Sequence, residues 1–187
     1  MADYELVSVP KSSANAGRAT GKKAYIVFFK WDDIIEYARD DGGVRVTAFA
    51  FASGKKPIAV YGTNSTIKIY DTAEGDDDAR GYIHHVEFDH PGTDIGIEEF
   101  VNNNINENLG AIALECADTD CKIAGTPCQP LKMIKADSQD DKEAKKIVLN
   151  LATTLRGSVL GIIAKTLVPA TDNAEINGIL GLTTGGV

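Results

Sequence analysis

Short segments in which apolar and polar residues alternate recur along most of the chain, and this pattern constrains the fold more than any other feature. Alternation with a period of two is typical of β-strands, because successive side chains point to opposite faces of the sheet. The segment 44–52, VRVTAFAFA, shows it most regularly. Together with apolar segments bounded by glycine, proline or charged turns, the pattern predicts strands at 24–31, 44–52, 58–62, 66–72, 82–90, 110–118, 119–126, 131–137, 146–155 and 158–167.

One segment near the middle of the chain has helical spacing instead. The apolar residues between Ile97 and Ile105 fall on one face of a helix, and Thr93 or Asp94 can cap its first turn. We therefore predict one amphipathic helix at about 93–107. The charged segment 32–43 is predicted to be a short helix or a turn region.

These elements predict one α+β domain that consists mainly of antiparallel sheet. A chain of 187 residues suits one domain with arms. Residues 1–23 are polar and are interpreted as an N-terminal arm that a partner would order, 24–168 as the β domain, and the glycine-rich segment 169–187 as a C-terminal arm.

Composition limits the function classes. The chain is 43% hydrophobic and 25% charged, as in ordinary globular proteins. Its net charge of −8 argues against a protein that holds nucleic acid through phosphate contacts, but not against one that nucleic acid slides past. The N-terminus lacks an apolar leader, and the run 159–168 is too short to span a bilayer. We expect assembly in a cytoplasm and no membrane partner.

All three histidines lie in the segment 82–90, which raises the question of a metal or acid/base site. Alternation places His84 and His85 on opposite faces of the strand. His84 and His90 share a face but would lie about 20 Å apart along it. We therefore predict polar residues on a partly exposed strand, with no catalytic residue.

The cysteines and the acidic run are equally weak as ligand sites. The spacing of Cys116, Cys121 and Cys128 matches no zinc motif, and an odd number without an export signal indicates reduced thiols. The carboxylates of 76–78 are consecutive and diverge, unlike those of a calcium loop. We expect no enzyme, no cofactor and no metal. A small metal-dependent enzyme using His84, His90 and the cysteines is an alternative that metal analysis would test.

The segment 88–133, FDHPGTDIGIEEFVNNNINENLGAIALECADTDCKIAGTPCQPLKM, resembles tail-tube-type proteins of bacteriophages, especially those of phages that infect Bacteroidetes-like hosts. The shared elements are HPG before the helix, EEF within it, a hairpin, and GTPxxPLK leading into the last strands. The likeness covers about 80–166, and 24–72 more loosely.

The resemblance implies a β-sandwich or small barrel flanked by the helix, in a virion protein whose copies form hexameric rings that stack through loops and arms. Such rings serve as tail tube, neck, terminator or connector and contact portal, sheath or baseplate proteins. DNA would pass through the lumen without specific binding. Ring closure would also pair strand edges that are a liability in a monomer. An acidic lumen would repel the DNA backbone.

Two further alternatives stay open at this stage. One is a capsid decoration or cargo protein of the same virion, and the other is the inner tube of a contractile injection system. In each case interface contacts would be spread over many residues. The segments that we expect to carry assembly are 1–23, 53–80, 136–146 and 169–187.

Overall fold

A computed structural model of the chain describes residues 5–116 and 119–182. Within these ranges it contains eleven strands and two helices. The strands are β1 (Lys22–Lys30), β2 (Ile34–Arg39), β3 (Arg45–Phe51), β4 (Ile58–Tyr61), β5 (Lys68–Glu74), β6 (Gly81–Pro91), β7 (Leu109–Glu115), β8 (Asp120–Ala124), β9 (Leu131–Asp140), β10 (Lys145–Thr153) and β11 (Gly161–Ala164). The helices are α1 (Ile95–Asn104) and α2 (Ala174–Leu180).

All eleven strands join into one mixed sheet, in agreement with a mainly β, α+β fold. One portion has the order β4-β1-β7-β8-β11-β3-β2 and the other has the order β9-β10-β6-β5. The bridge between Leu109 on β7 and Leu131 on β9 connects them. The last strands do not simply pair in chain order, because β11 lies between β8 and β3 and runs parallel to β3.

Two hydrophobic cores lie on opposite faces of the long portion. In β1, Ile26 and Phe28 point into the first core, whereas Val27 and Phe29 point into the second. The first core fills the space between the two portions of the sheet and includes Phe88 of β6. Because both faces of β1 and β7 are covered, the central residues of both strands are apolar, at 24–29 in β1 and 111–114 in β7.

The predicted helix or turn at 32–43 is wrong for its central residues. A single 3-10 turn at Trp31–Asp33 leads into strand β2, which pairs with β3. The pairing skips Thr47 on β3, since Ala38 faces Ala48 whereas Arg39 faces Val46. This irregularity changes the face of the strand and explains why both Val46 and Phe49 are buried, which strict alternation does not predict.

The predicted C-terminal arm is also wrong for its described part, residues 169–182. Asn173 caps α2 by accepting hydrogen bonds from two backbone N–H groups, and Gly181 ends the helix in a left-handed conformation. Leu180 is fully buried in the second core. Residues 183–187 lie outside the described residues. At the other end, residues 5–20 are exposed and belong to no strand or helix.

Helix α1 confirms the predicted central helix, with Asp94 as its N-cap. Its residue Ile97 is buried in the first core and also lines a groove together with β4. Glu98 accepts a hydrogen bond from Ser138 on β9. The predicted hairpin of β7 and β8 is present, although its turn residues 117 and 118 lie outside the described ranges.

Candidate assembly interface

Several strands have a partner on one side only within the part of the chain that the structure describes. The continuous strand order begins at β2 and ends at β5, and β4 pairs with β1 alone. Strand β9 pairs with β10 along its length but with β7 at a single position. A row of backbone N–H and C=O groups on such an edge can pair with another chain. The fold therefore presents edges that a second polypeptide can extend.

Two of these edge strands carry a large apolar side chain that is more than half exposed. Ile35 on β2 is 71% exposed and Ile134 on β9 is 60% exposed. Scattered apolar surface residues are common, but an apolar side chain on an open strand edge favours association. In the N-terminal segment, Leu6 and Val9 are 92% and 88% exposed.

The outer face of β5 and β6 is polar and well satisfied. The Tyr70 hydroxyl donates a 2.7 Å hydrogen bond to Glu87, and Lys68 lies 3.4 Å from the same carboxylate. The hydrogen bond from Tyr70 lowers the pKa of Glu87, and Lys68 lowers it further. The ring of Tyr70 also stacks on His85, with ring centroids 4.8 Å apart. This face suits contact with water rather than with a core.

His84 differs from its prediction as a partly exposed residue, because it is 1% exposed. Its Nδ1 accepts a 2.9 Å hydrogen bond from the Gly125 N–H, and its Nε2 donates over 2.7 Å to the Ser158 carbonyl. Both bonds require the neutral Nε2–H tautomer. Burial lowers the pKa of His84, and the nearby Arg39 guanidinium lowers it further. The side chain thus attaches the loop 154–160 to β6 and β8.

The residues considered for metal binding are spread over the fold. His85 contacts Thr72, while the Nδ1 of His90 donates to the Tyr61 carbonyl over 2.8 Å. Of the three cysteines, Cys121 is buried whereas the other two are exposed. Among the described residues, no group of three His, Cys, Asp or Glu side chains is placed to hold a metal ion.

The segments predicted to carry assembly contain more regular structure than expected. The region 53–80 holds β4 and β5 between its exposed loops, and 136–146 is the end of a long hairpin with its turn at 141–144. Asp141 closes that turn by accepting from the Glu143 and Ala144 N–H groups. A bond from the Gln139 side chain and these backbone bonds lower the pKa of Asp141. Sequence patterns indicate these segments as a whole and do not identify the open strand edges within them.

Comparison of the chain with protein-family models, with curated protein sequences and with solved structures finds no match. Among the described helices, neither has the length and apolar character needed to cross a membrane.

Proposed function

We propose that this chain is a structural virion protein whose copies join edge to edge into rings. The rings, hexameric by the family resemblance, stack as a phage tail tube or a tail or neck ring and form a conduit for DNA. The observation that carries the proposal is the open edge of β2 and the open edge of β5, which lie at the two ends of one continuous strand order within the described residues. A ring needs a head-to-tail contact between two different surfaces of each copy, and these two edges supply them.

Pairing of β5 of one copy with β2 of the next would continue the sheet around the ring. It would place Ile35 at the junction and cover its exposed side chain. The inner tube of a contractile injection system would use the same contact. Neighbouring genes for portal and large terminase, or for an injection-machine baseplate, distinguish the two settings.

The conduit role is supported by charge. The chain has a net charge of −8, so a lumen that shares this excess would repel the DNA backbone and prevent adhesion during passage. A channel wall lined by lysine and arginine would contradict this part of the proposal.

Electron microscopy of the concentrated full-length protein tests the proposal. We expect rings or stacked rings with a central channel. Ile35→Lys should abolish them without unfolding the chain, because the side chain is mostly exposed in the single copy. Ile95→Lys is the matched control, since Ile95 is 77% exposed and lies on helix α1 rather than on a strand. A monomer that binds only to capsids would favour a decoration protein instead.

A further inference from the structure

A groove lies along the open edge of β4, between the N-terminal ends of α1 and α2. Its cavity has a volume of about 420 Å³. Apolar and aromatic side chains form most of its wall, among them Ile58 and Tyr61 from β4, Ile97 and Phe100 from α1, and Ile176 from α2. A strand edge beside a helix is the geometry in which an extended peptide can add a strand and insert side chains.

The hydrogen bonding of β4 limits how much of this edge is available. The Gly62 N–H donates to the Ala24 carbonyl of β1, and in an antiparallel pair the backbone groups of alternate residues point to the same side. The backbone N–H and C=O groups of Ala59 and Tyr61 therefore point away from β1, toward the groove. The Tyr61 carbonyl accepts from His90, and the Pro57 carbonyl accepts from the Asp172 N–H. The backbone N–H and C=O of Ala59, between these two bonds, point away from β1 and pair with no second strand in the described ranges. A short extended segment therefore fits this edge.

The rim of the groove is acidic. Asp94 and Asp172 line it, and no described lysine or arginine does. The Asp172 side chain is exposed, and the hydrogen bond of this residue to Pro57 uses its backbone. The groove thus combines apolar walls with two carboxylates and favours a segment that is apolar and basic.

The N-terminal segment of the chain has this composition. Residues 5–11, ELVSVPK, place three apolar side chains in a β-prone sequence that ends at Lys11. Within this segment Glu5 and Lys11 lie at opposite ends, so that the end at Lys11 is basic, and residues 1–23 as a whole hold four basic and two acidic side chains. Leu6 and Val9 remain almost fully exposed in the single copy, so the segment does not occupy its own groove. The ten residues from 12 to 21 can extend over roughly 30 Å, enough to reach a neighbour.

We propose that residues 5–11 of one copy bind in the β4 groove of a second copy. Leu6, Val7 and Val9 supply apolar side chains to the cavity, the backbone pairs with Ala59, and Lys11 approaches Asp94 and Asp172. The inference rests on the proposed function in assuming that copies of this chain assemble. It assigns to the arm a contact distinct from the β2–β5 junction.

Sedimentation velocity of full-length variants tests this contact in an Ile35→Lys background, where edge pairing is blocked. We expect concentration-dependent association that Leu6→Asp with Val9→Asp weakens at least about tenfold. Asp172→Lys should weaken it as well, and Lys11→Asp should restore association to Asp172→Lys. Leu155→Asp, in an exposed loop, should change nothing.

Mixing two variants that are monomeric in the Ile35→Lys background separates binding between copies from binding within one copy. The arm variant Leu6→Asp with Val9→Asp keeps an intact groove, and the groove variant Ile58→Asp keeps an intact arm. Together they should form a one-to-one dimer. Circular dichroism of each variant checks that the fold is intact.

The inference is overturned if the mixture stays monomeric. It is also overturned if Ile35→Lys associates equally well with and without the arm substitutions. Rings of the wild-type chain together with a monomeric mixture would reject only the arm contact. A mixed dimer without rings of the wild-type chain would reject only the proposed function.

Discussion

Gly110 should tolerate no side chain, because the ring of Phe29 occupies the space beside it. Gly110 on β7 lies directly opposite Phe29 on β1. A Cβ atom added at position 110 would come under 3.0 Å from three atoms of that ring. Side-chain atoms do not approach so closely, so Gly110→Ala requires the ring or the strand to move.

The ring has little room to move. Phe29 is 4% exposed, and its centroid lies 4.9 Å from that of Trp31 and 5.1 Å from that of Phe49. Overpacking of this kind costs about 1–3 kcal/mol. For a chain of this length each kcal/mol lowers Tm by about 2–4 °C, so we expect Gly110→Ala to lower Tm by roughly 2–12 °C.

Urea unfolding followed by circular dichroism measures the effect. Gly178→Ala is the matched control, because no atom lies within 4 Å of an added Cβ there, and it should stabilise helix α2 by up to about 1 kcal/mol. In a Phe29→Leu background the cost of Gly110→Ala should shrink. A change in unfolding free energy below about 0.5 kcal/mol for Gly110→Ala would refute the packing argument.

Two other predictions concern buried polar groups. His84 is neutral in the fold because burial lowers its pKa. Below about pH 6.5 the histidine of the unfolded chain therefore binds a proton that the folded chain does not bind. The free energy of unfolding should fall as the pH drops below that value, by at most about 1.4 kcal/mol per pH unit. Urea unfolding between about pH 7.5 and 5.5 should show a flatter dependence for His84→Gln, and an unchanged slope would contradict the assignment. Asn177 accepts from the Thr171 N–H and hydroxyl, both over 2.7 Å, and donates to the Thr171 carbonyl over 3.0 Å. Asn177→Ala should therefore cost about 1–3 kcal/mol and detach α2, which limited proteolysis within 169–182 would detect; an equally resistant variant would contradict this.

Local pattern was sufficient for most strands and for helix α1. The strand predicted at 24–31 is β1, and the helix predicted at 93–107 contains α1 with Asp94 as its cap. These segments have strong apolar periodicity or a complete capping signal. Both signals are formed by residues that are close together in the sequence. Such signals are retained whatever the tertiary arrangement.

The failures depend on contacts between distant segments. Strand β2 is short and flanked by charged residues, and its pairing with β3 stabilises it as a strand. Helix α2 has a capping Asn173 and a terminal Gly181, but its length of seven residues and its interior glycine weaken the local signal. Its stability comes from Leu180 in the second core.

The candidate interface was predictable only in outline. The sequence showed many strands, but whether a strand is an edge depends on which neighbours the fold gives it. The insertion of β11 beside β3, a parallel pairing between segments more than 100 residues apart, leaves β2 at one end of the order. Burial of His84 likewise depends on Gly125 and Ser158, which lie far away in sequence.

A cryo-electron microscopy reconstruction of the assembled full-length protein tests the central claim most directly. We predict closed rings around a channel, with β5 of each copy hydrogen-bonded to β2 of the next. A protein that stays monomeric at high concentration, or rings in which both of these edges face solvent, would contradict it.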